Sequence, residues 1–324
     1  MTQLITQPGA QTAADRPANR EPVFVLGVAR SGTTLLSLML DSHSLLAIPY
    51  ESHFMTRYYR QRERWGDLSQ LENRRTLVAS ILQERYVARW DHRLTVEEVA
   101  LENPRTLPEC ISAVMEAYAR ERGKAVWGDK SPSYITDIDD LYNLFPRARF
   151  IHLIRDGRDV ASSLVRQWWG SNDFVNAMRS WRELVYWSRK LLRMIPPEQT
   201  FELRFEDLVE NPEQKLREIT TFLGWDYEPH MATAYAENSA EKVGERIRQH
   251  HEHIAKPPSA EQAMKWKNSL SPADQALAFE IAGELLVELG YPEGVTRHPL
   301  KRWRELTHRV KGAIAWRKGL KRPR

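Results

Sequence analysis

With 324 residues, one cysteine and a formal net charge of +4, the chain is long enough to bury a sizeable α/β core and cannot form an intramolecular disulfide. Its 42% hydrophobic and 28% charged residues are the balance of a globular protein folding in water, and there is no run of about 18 apolar residues to span a bilayer. The charge is lopsided: from Arg297 onward eleven Lys/Arg face one acid, Glu305, leaving −6 on the remaining 296 residues, so contact with an anionic surface belongs to the tail.

Residues 1–22, ending ADRPANREP, are polar and proline-bearing, lack an apolar stretch of signal-peptide length and read as a disordered leader. Apolar runs at 23–28 (VFVLGV), 124–129 (KAVWGD), 149–154 (RFIHLI) and 200–205 (TFELRF) predict strands. Helical patterns separate them, which implies parallel pairing through right-handed crossovers. Residues 52–122, rich in Arg, Glu and Leu at helical spacing, predict an inserted helical layer over the sheet's ligand edge. Further helices are expected in DGRDVASSLVRQW, DFVNAMRSWRELVYWSRKLLRMI and PEQKLREITTFLG, the last closed by Gly224. Residues 239–258 are polar and histidine-dense and read as a lid loop with solvated histidines, since no carboxylate or cysteine pattern accompanies them. SAEQAMKWKNSL and SPADQALAFEIAGELLVELG then open as helices on Ser or Ser-Pro caps. One main domain over 23–292 is expected, followed by a basic tail over 293–324. Cys110 is assigned to packing; a lone thiol fits a reducing, cytoplasmic setting.

In GVARSGTTLL a strand ends near Val28 and a helix begins near Thr33, so backbone N–H groups and the positive helix end converge where a phosphate or sulfate would bind. Gly32 allows close approach, and Thr33 and Thr34 add hydroxyls. The Gly27-to-Gly32 spacing is that of the nucleotide triphosphate loop, but Thr33 stands where that loop has lysine. RFIHLI ends in Arg155, which repels a metal and attracts a second anion. A metal-free ligand with two separated anionic groups follows more readily than a magnesium-bound triphosphate.

These segments resemble the sulfotransferases that use 3′-phosphoadenosine 5′-phosphosulfate, closer to the tyrosylprotein and carbohydrate-type branch than to the cytosolic one. RSGTTLL, Arg30 to Leu35 and beyond, is similar to that family's 5′-phosphosulfate loop, which assigns Arg30, Ser31, Gly32, Thr33, Thr34 and Leu35 to the donor. LIRDGRDVASSLV is similar to its 3′-phosphate motif, with Arg155 and Ser163 at the matching positions, and Arg158 and Arg166 read as solvated charges. LRFEDLVENP resembles a third segment, with Phe205 in place of the usual tyrosine. The resemblance implies an α/β fold with a parallel central sheet flanked by helices, like that of P-loop NTPases, carrying the inserted helical layer. It implies sulfuryl transfer from that donor, without a metal, to a hydroxyl of a carbohydrate, lipid or other small molecule.

Arg30, permanently charged, is placed to stabilise the leaving phosphate. The proton acceptor must lie beyond the first helix, where AIPYESHF offers Glu51 and His53; the resemblance favours Glu51 and keeps His53 in reserve. Lys130 of WGDKSPSYI is expected beside the loop, stabilising the transferring oxygens or pairing with Asp129, while Ser131 contacts the donor or caps the next helix. Lys256 and Trp266 are assigned to the 3′-phosphate and adenine region, with Trp266 in the core as the alternative. The competing readings are a P-loop kinase or nucleotide hydrolase and a non-catalytic nucleotide-binding protein. In the tail, Leu300, Trp303, Leu306, Val310 and Ile314 form one apolar stripe at helical spacing amid basic residues. Peripheral contact with the inner membrane face, or packing on the protein itself, follows from it; no nucleic-acid recognition module accompanies the charge.

Overall fold

Four strands form where the apolar runs lie: β1 (Val23–Leu26), β3 (Val126–Asp129), β4 (Arg149–Ile154) and β5 (Thr200–Arg204). A fifth, β2 (Leu46–Ala47), is only two residues long and has no readable period. The computed structural model describes residues 20–233 and 263–317; the leader up to residue 19, the whole of the expected lid and the last seven residues of the tail lie outside them. All pairings are parallel, in the order β2-β3-β1-β4-β5. Phe24 pairs with Asp129 on one side and Phe150 on the other, so the carboxyl ends of β3, β1 and β4 come together at one edge, where parallel sheets hold ligands.

Alternation along β1 sorts its side chains. Val23 and Val25 join a core with Leu35, Leu36 and Met39 of α1 (Thr33–Asp41) and with Leu208, Leu216 and Ile219 of α8 (Phe205–Glu210) and α9 (Pro212–Leu223). Phe24 and Leu26 face the other way, into α2 (Met55–Arg60), α3 (Leu71–Leu82), α4 (Leu107–Glu121) and α5 (Ile138–Leu144). With both faces covered, the strands read as continuous apolar runs. Between β2 and β3 the described chain is helical and irregular, and it roofs one face of the sheet. Buried Cys110 lies in this layer.

A third core joins α6 (Gly157–Arg166), α7 (Phe174–Leu192) and α11 (Pro272–Glu288). The polar helix starts are met by side chains: Asp173 accepts from the Asn176 N–H at 2.9 Å and Ser271 from the Asp274 N–H at 3.2 Å. The helix expected over 259–270 is only the single turn α10 (Trp266–Ser269) among the described residues. The tail forms α12 (Lys301–Arg317).

Arg158 corrects its sequence reading. It is completely buried, donating to both Asp156 carboxylate oxygens at 2.9 and 2.7 Å, to the Pro292 carbonyl at 2.7 Å and to the Glu293 carbonyl at 3.0 Å. Its guanidinium lies 3.4 Å from the Trp266 ring centroid. Arg166, by contrast, is exposed. Because removing one member of a buried ion pair strands the other, Arg158→Met should cost about 3–5 kcal/mol in urea unfolding. The double change Asp156→Asn, Arg158→Met should recover much of that loss; equal loss in both would assign the effect to packing against Trp266.

Candidate active site

The loop from Gly27 to Thr34 is shaped by two close approaches. A Cβ on Gly27 would sit 2.6 Å from the Leu153 carbonyl oxygen and 2.7 Å from the Thr33 methyl. Gly32 has φ of 93°, and a Cβ there would fall 2.4 Å from the Phe205 ring. Gly32 gives α1 no side-chain cap, and the first N–H groups of a helix have no intrahelical partner. Ser31 is buried, and its hydroxyl has no hydrogen-bond partner among the described residues. Arg30 itself holds a φ of 75°, costly for a residue with a Cβ. These features make a concave, donor-lined cradle at the end of β1.

The second motif closes on the first. Arg30 Nε donates to Ser163 Oγ at 3.0 Å, and Arg155 Nη1 donates to the Arg30 carbonyl at 3.3 Å. Burial, then the charges of Arg155 and Arg166, push the Arg30 guanidinium down from its ordinary value. The charges of Arg155 and Arg166 thus both bear on Arg30. Arg155 also spans to Asp159 at 3.4 Å and lies 4.6 Å from the Phe205 ring centroid. The ring that fills the space beside Gly32 is therefore also the surface on which Arg155 rests.

Beyond β2 the chain carries Glu51 and His53, both at positive φ, 34° and 58°. Their neighbours hold this strained turn. The Ser52 and His53 N–H groups donate to Ser131 Oγ at 2.9 and 3.2 Å, and Trp90 Nε1 donates to the Glu51 carbonyl at 3.2 Å. Ser131 thus holds the turn; it makes no side-chain cap for the short helix that follows. Lys130 Nζ donates to Glu51 Oε1 at 2.7 Å, so its ion pair is with Glu51 and not with neighbouring Asp129. His53 Nε2 meets Glu51 Oε2 at 2.7 Å, and its Nδ1 meets Ser133 Oγ at 2.7 Å. Burial opposes ionisation of Glu51, but Lys130 and His53 outweigh it and hold the carboxyl at about 2. The Lys130 side chain is almost wholly buried, with its ammonium 5.1 Å from the Tyr50 ring centroid.

Asp129 ends β3 fully buried, and burial pushes its carboxyl above the usual range. Lys256 lies outside the described residues. Trp266 lies in the interior, its indole against Arg158 rather than open to an adenine ring, while its backbone N–H donates to Asp159 at 2.7 Å. Three contributors were missed from sequence. Arg158 and Asp156 brace the start of α6, and Glu206, within the quoted LRFEDLVENP, accepts from the Asp156 N–H at 3.0 Å and from the Tyr291 hydroxyl at 3.0 Å.

The profile of the sulfotransferase family matches residues 22–229. The chain belongs to the sulfotransferase family. It is 24% identical over 281 residues to Protein-tyrosine sulfotransferase A of Caenorhabditis elegans, covering 83% of this chain and 67% of that protein. It is 26% identical over 284 residues to the Protein-tyrosine sulfotransferase of Drosophila melanogaster, covering 84% and 52%. To Nodulation protein NoeE of Sinorhizobium fredii it is 26% identical over 304 residues, covering 84% and 66%. This sulfotransferase thus spans about half to two thirds of those relatives' length. It shares its fold with the sulfotransferase domain from the curacin biosynthetic pathway, with TM-score 0.58 and 22% identity over 85% of this chain and 99% of that one.

Burial pushes the Glu206 carboxyl up from 4.5 to about 7, against the Asp156 N–H bond that favours its charged form. A carboxyl raised in the folded state stabilises fully below its unfolded value and loses that contribution as pH climbs through its folded value. Glu206→Gln, uncharged at every pH, escapes the loss. Its unfolding free energy relative to the parent should therefore shift in its favour by on the order of 3 kcal/mol between about pH 4.5 and 8. A pH-independent difference would show that Glu206 titrates normally.

Proposed function

We propose that this sulfotransferase moves the sulfuryl group of 3′-phosphoadenosine 5′-phosphosulfate to a hydroxyl of a carbohydrate, lipid or other small-molecule acceptor. The observation that carries the donor assignment is the mutual approach of Arg30, Arg155 and Ser163 over a glycine-formed cradle. Arginines crowded together and partly removed from water are stabilised by an anion between them. The unpartnered Ser31 hydroxyl and the uncapped start of α1 suit a 5′-phosphosulfate, and Arg155 with Ser163, on the next strand and helix, suits a 3′-phosphate. A kinase or hydrolase reading is disfavoured by Thr33 at the lysine position and Arg155 at the end of β4.

When bound, the donor supplies a sulfur–oxygen bond that breaks toward phosphate while a new one forms to the acceptor oxygen, whose proton must leave. Arg30 meets the charge arriving on the phosphate. Lys130 meets the charge on the transferring oxygens, and Glu51 takes the acceptor proton. Their 2.7 Å pairing couples the two roles: attraction that Lys130 spends on the transferring oxygens is withdrawn from Glu51, whose proton affinity rises as the base is required. His53 holds the other carboxylate oxygen and fixes the orientation of Glu51. The tyrosine-sulfating activity named for some relatives keeps a phenolic hydroxyl among the acceptors to be screened. A cytoplasmic, reducing compartment belongs to the same proposal, on the single buried cysteine.

Titration calorimetry with 3′-phosphoadenosine 5′-phosphate in chelator should show binding. Arg155→Ala should weaken it more than about tenfold while changing AMP affinity little; equal weakening of both removes Arg155 from the 3′ site.

With an acceptor in hand, Glu51→Gln should lower turnover by roughly 100-fold and leave nucleotide affinity within about twofold. Activity that survives this change and collapses in His53→Ala would transfer the base to His53.

A further inference from the structure

Helix α12 packs the reverse of an ordinary surface helix. Its inward face is polar: Arg304 donates to Asp274 of α11 at 2.8 and 2.5 Å, His308 meets the same carboxylate at 2.9 Å, Lys301 pairs with Glu280, and Glu305 lies 3.6 Å from Arg179 of α7. Burial opposes ionisation of Asp274, yet His308 and Arg304 hold its carboxyl well below the usual range. Gly312 completes this face; a Cβ there would sit 2.9 Å from the Asp173 carboxylate. The apolar stripe points outward instead, with Leu300 54%, Trp303 67%, Leu306 53%, Val310 49% and Ile314 46% exposed. Arg302, Arg309 and Lys311 are exposed beside it.

Gly312 rests on Asn172 and Asp173, the end of the loop that carries Trp168 and Trp169, 60% and 39% exposed. That loop follows Arg166, whose charge acts on Arg30 in the donor cradle. Two further exposed indoles therefore lie in the stretch of chain that runs from Arg166 to the residues against Gly312.

We propose that the α12 stripe, together with the Trp168–Trp169 loop, is a docking surface for an anionic lipid bilayer. The stripe is too apolar to be a plain solvated face, and ion pairs fix the helix with that stripe outward. A second copy of this chain is the poorer occupant, because a two-fold pairing of the stripes brings Arg302, Arg309 and Lys311 of each helix against their like. A bilayer takes the indoles and aliphatic side chains into its interface and the cations among its headgroups. The proposal does not depend on the donor assignment. Its consequence for the reaction is orientation: the loop leaving the cradle meets the membrane surface, so an acceptor held in that surface would approach Arg30 from the lipid side.

Co-sedimentation of the full-length chain should show retention on vesicles of phosphatidylcholine mixed with phosphatidylglycerol and none on phosphatidylcholine alone, with retention falling as salt rises past about 0.15 M. The triple change Trp303→Ser, Val310→Ser, Ile314→Ser, which leaves every inward ion pair in place, should lower retention by about tenfold or more. Trp168→Ser with Trp169→Ser should lower it separately. Calorimetry with 3′-phosphoadenosine 5′-phosphate on the same samples should be unchanged, which reports folding and keeps the result apart from the donor reading. Retention of the triple variant equal to the parent would overturn the proposal. So would a parent that ignores anionic vesicles but forms a dimer, by light scattering, that the triple variant loses.

Discussion

Like-charge crowding at the carboxyl ends of β1 and β4 is the constraint around which the rest is arranged. Arg30 and Arg155 come from adjacent parallel strands and are joined through the Arg30 carbonyl. In water two guanidiniums would move apart; here each is held by groups that cannot follow. Ser163 holds Arg30 from α6, while Asp159 and the Phe205 face hold Arg155. Behind them Asp156 and Arg158 form a buried ion pair whose removal would loosen the start of α6, and with it Ser163. The cradle's positive potential is thus maintained by rigidity already present in the fold, which is what preorganised anion binding needs.

A second strained element faces the first. Glu51 and His53 take left-handed backbone conformations without being glycines, and the hydrogen bonds that hold them come from the start of the short helix after β3 and from the inserted helical layer. That layer does more than cover the sheet: Trp90 reaches back to the Glu51 carbonyl, and the ring centroid of Tyr86 lies 4.3 Å from that of His53. Glu51, His53 and Lys130 therefore depend on β2, β3 and the insertion, whereas Arg30, Arg155 and Ser163 depend on β1, β4 and α6. The parallel order β2-β3-β1-β4-β5 sets the two halves side by side.

What could be read from the sequence was what is local. The strand, turn and helix of each motif lie within about twenty consecutive residues, so each could be read locally although Arg30 and Ser163 are far apart in the chain. What escaped depended on distant partners. Arg158 looks like a surface charge because Pro292, Glu293 and Trp266, which bury it, lie over a hundred positions away. The pairing of Lys130 with Asp129 fails for a simpler reason: consecutive residues at a strand end point to opposite faces, so Lys130 is turned toward Glu51 and Asp129 away from it. The two-residue β2 is too short for any period to register. In α12 the apolar stripe was legible, but periodicity alone leaves open whether it packs on the protein or faces outward; its outward direction follows from Asp274, Glu280 and Arg179 on the helices beneath.

Phe205, where tyrosine was anticipated, shows how one turn links these layers. Its ring fills the space that Gly32 leaves and supports Arg155, contacts made by ring faces and edges without a hydroxyl. The next residue, Glu206, receives its hydroxyl from Tyr291 instead, and Arg204 donates to the Gly290 carbonyl at 3.1 Å. Arg158 grips the carbonyls of Pro292 and Glu293 from the other side. The segment from Gly290 to Glu293 is therefore clamped at four consecutive residues by side chains that also build or brace the anion cradle. Only seven residues separate it from Lys301, where α12 begins. Because the clamp fixes one end of that connection and the Asp274 ion pairs fix the helix itself, the outward stripe holds a set orientation relative to Arg30, so what the stripe binds and what the cradle binds are geometrically coupled.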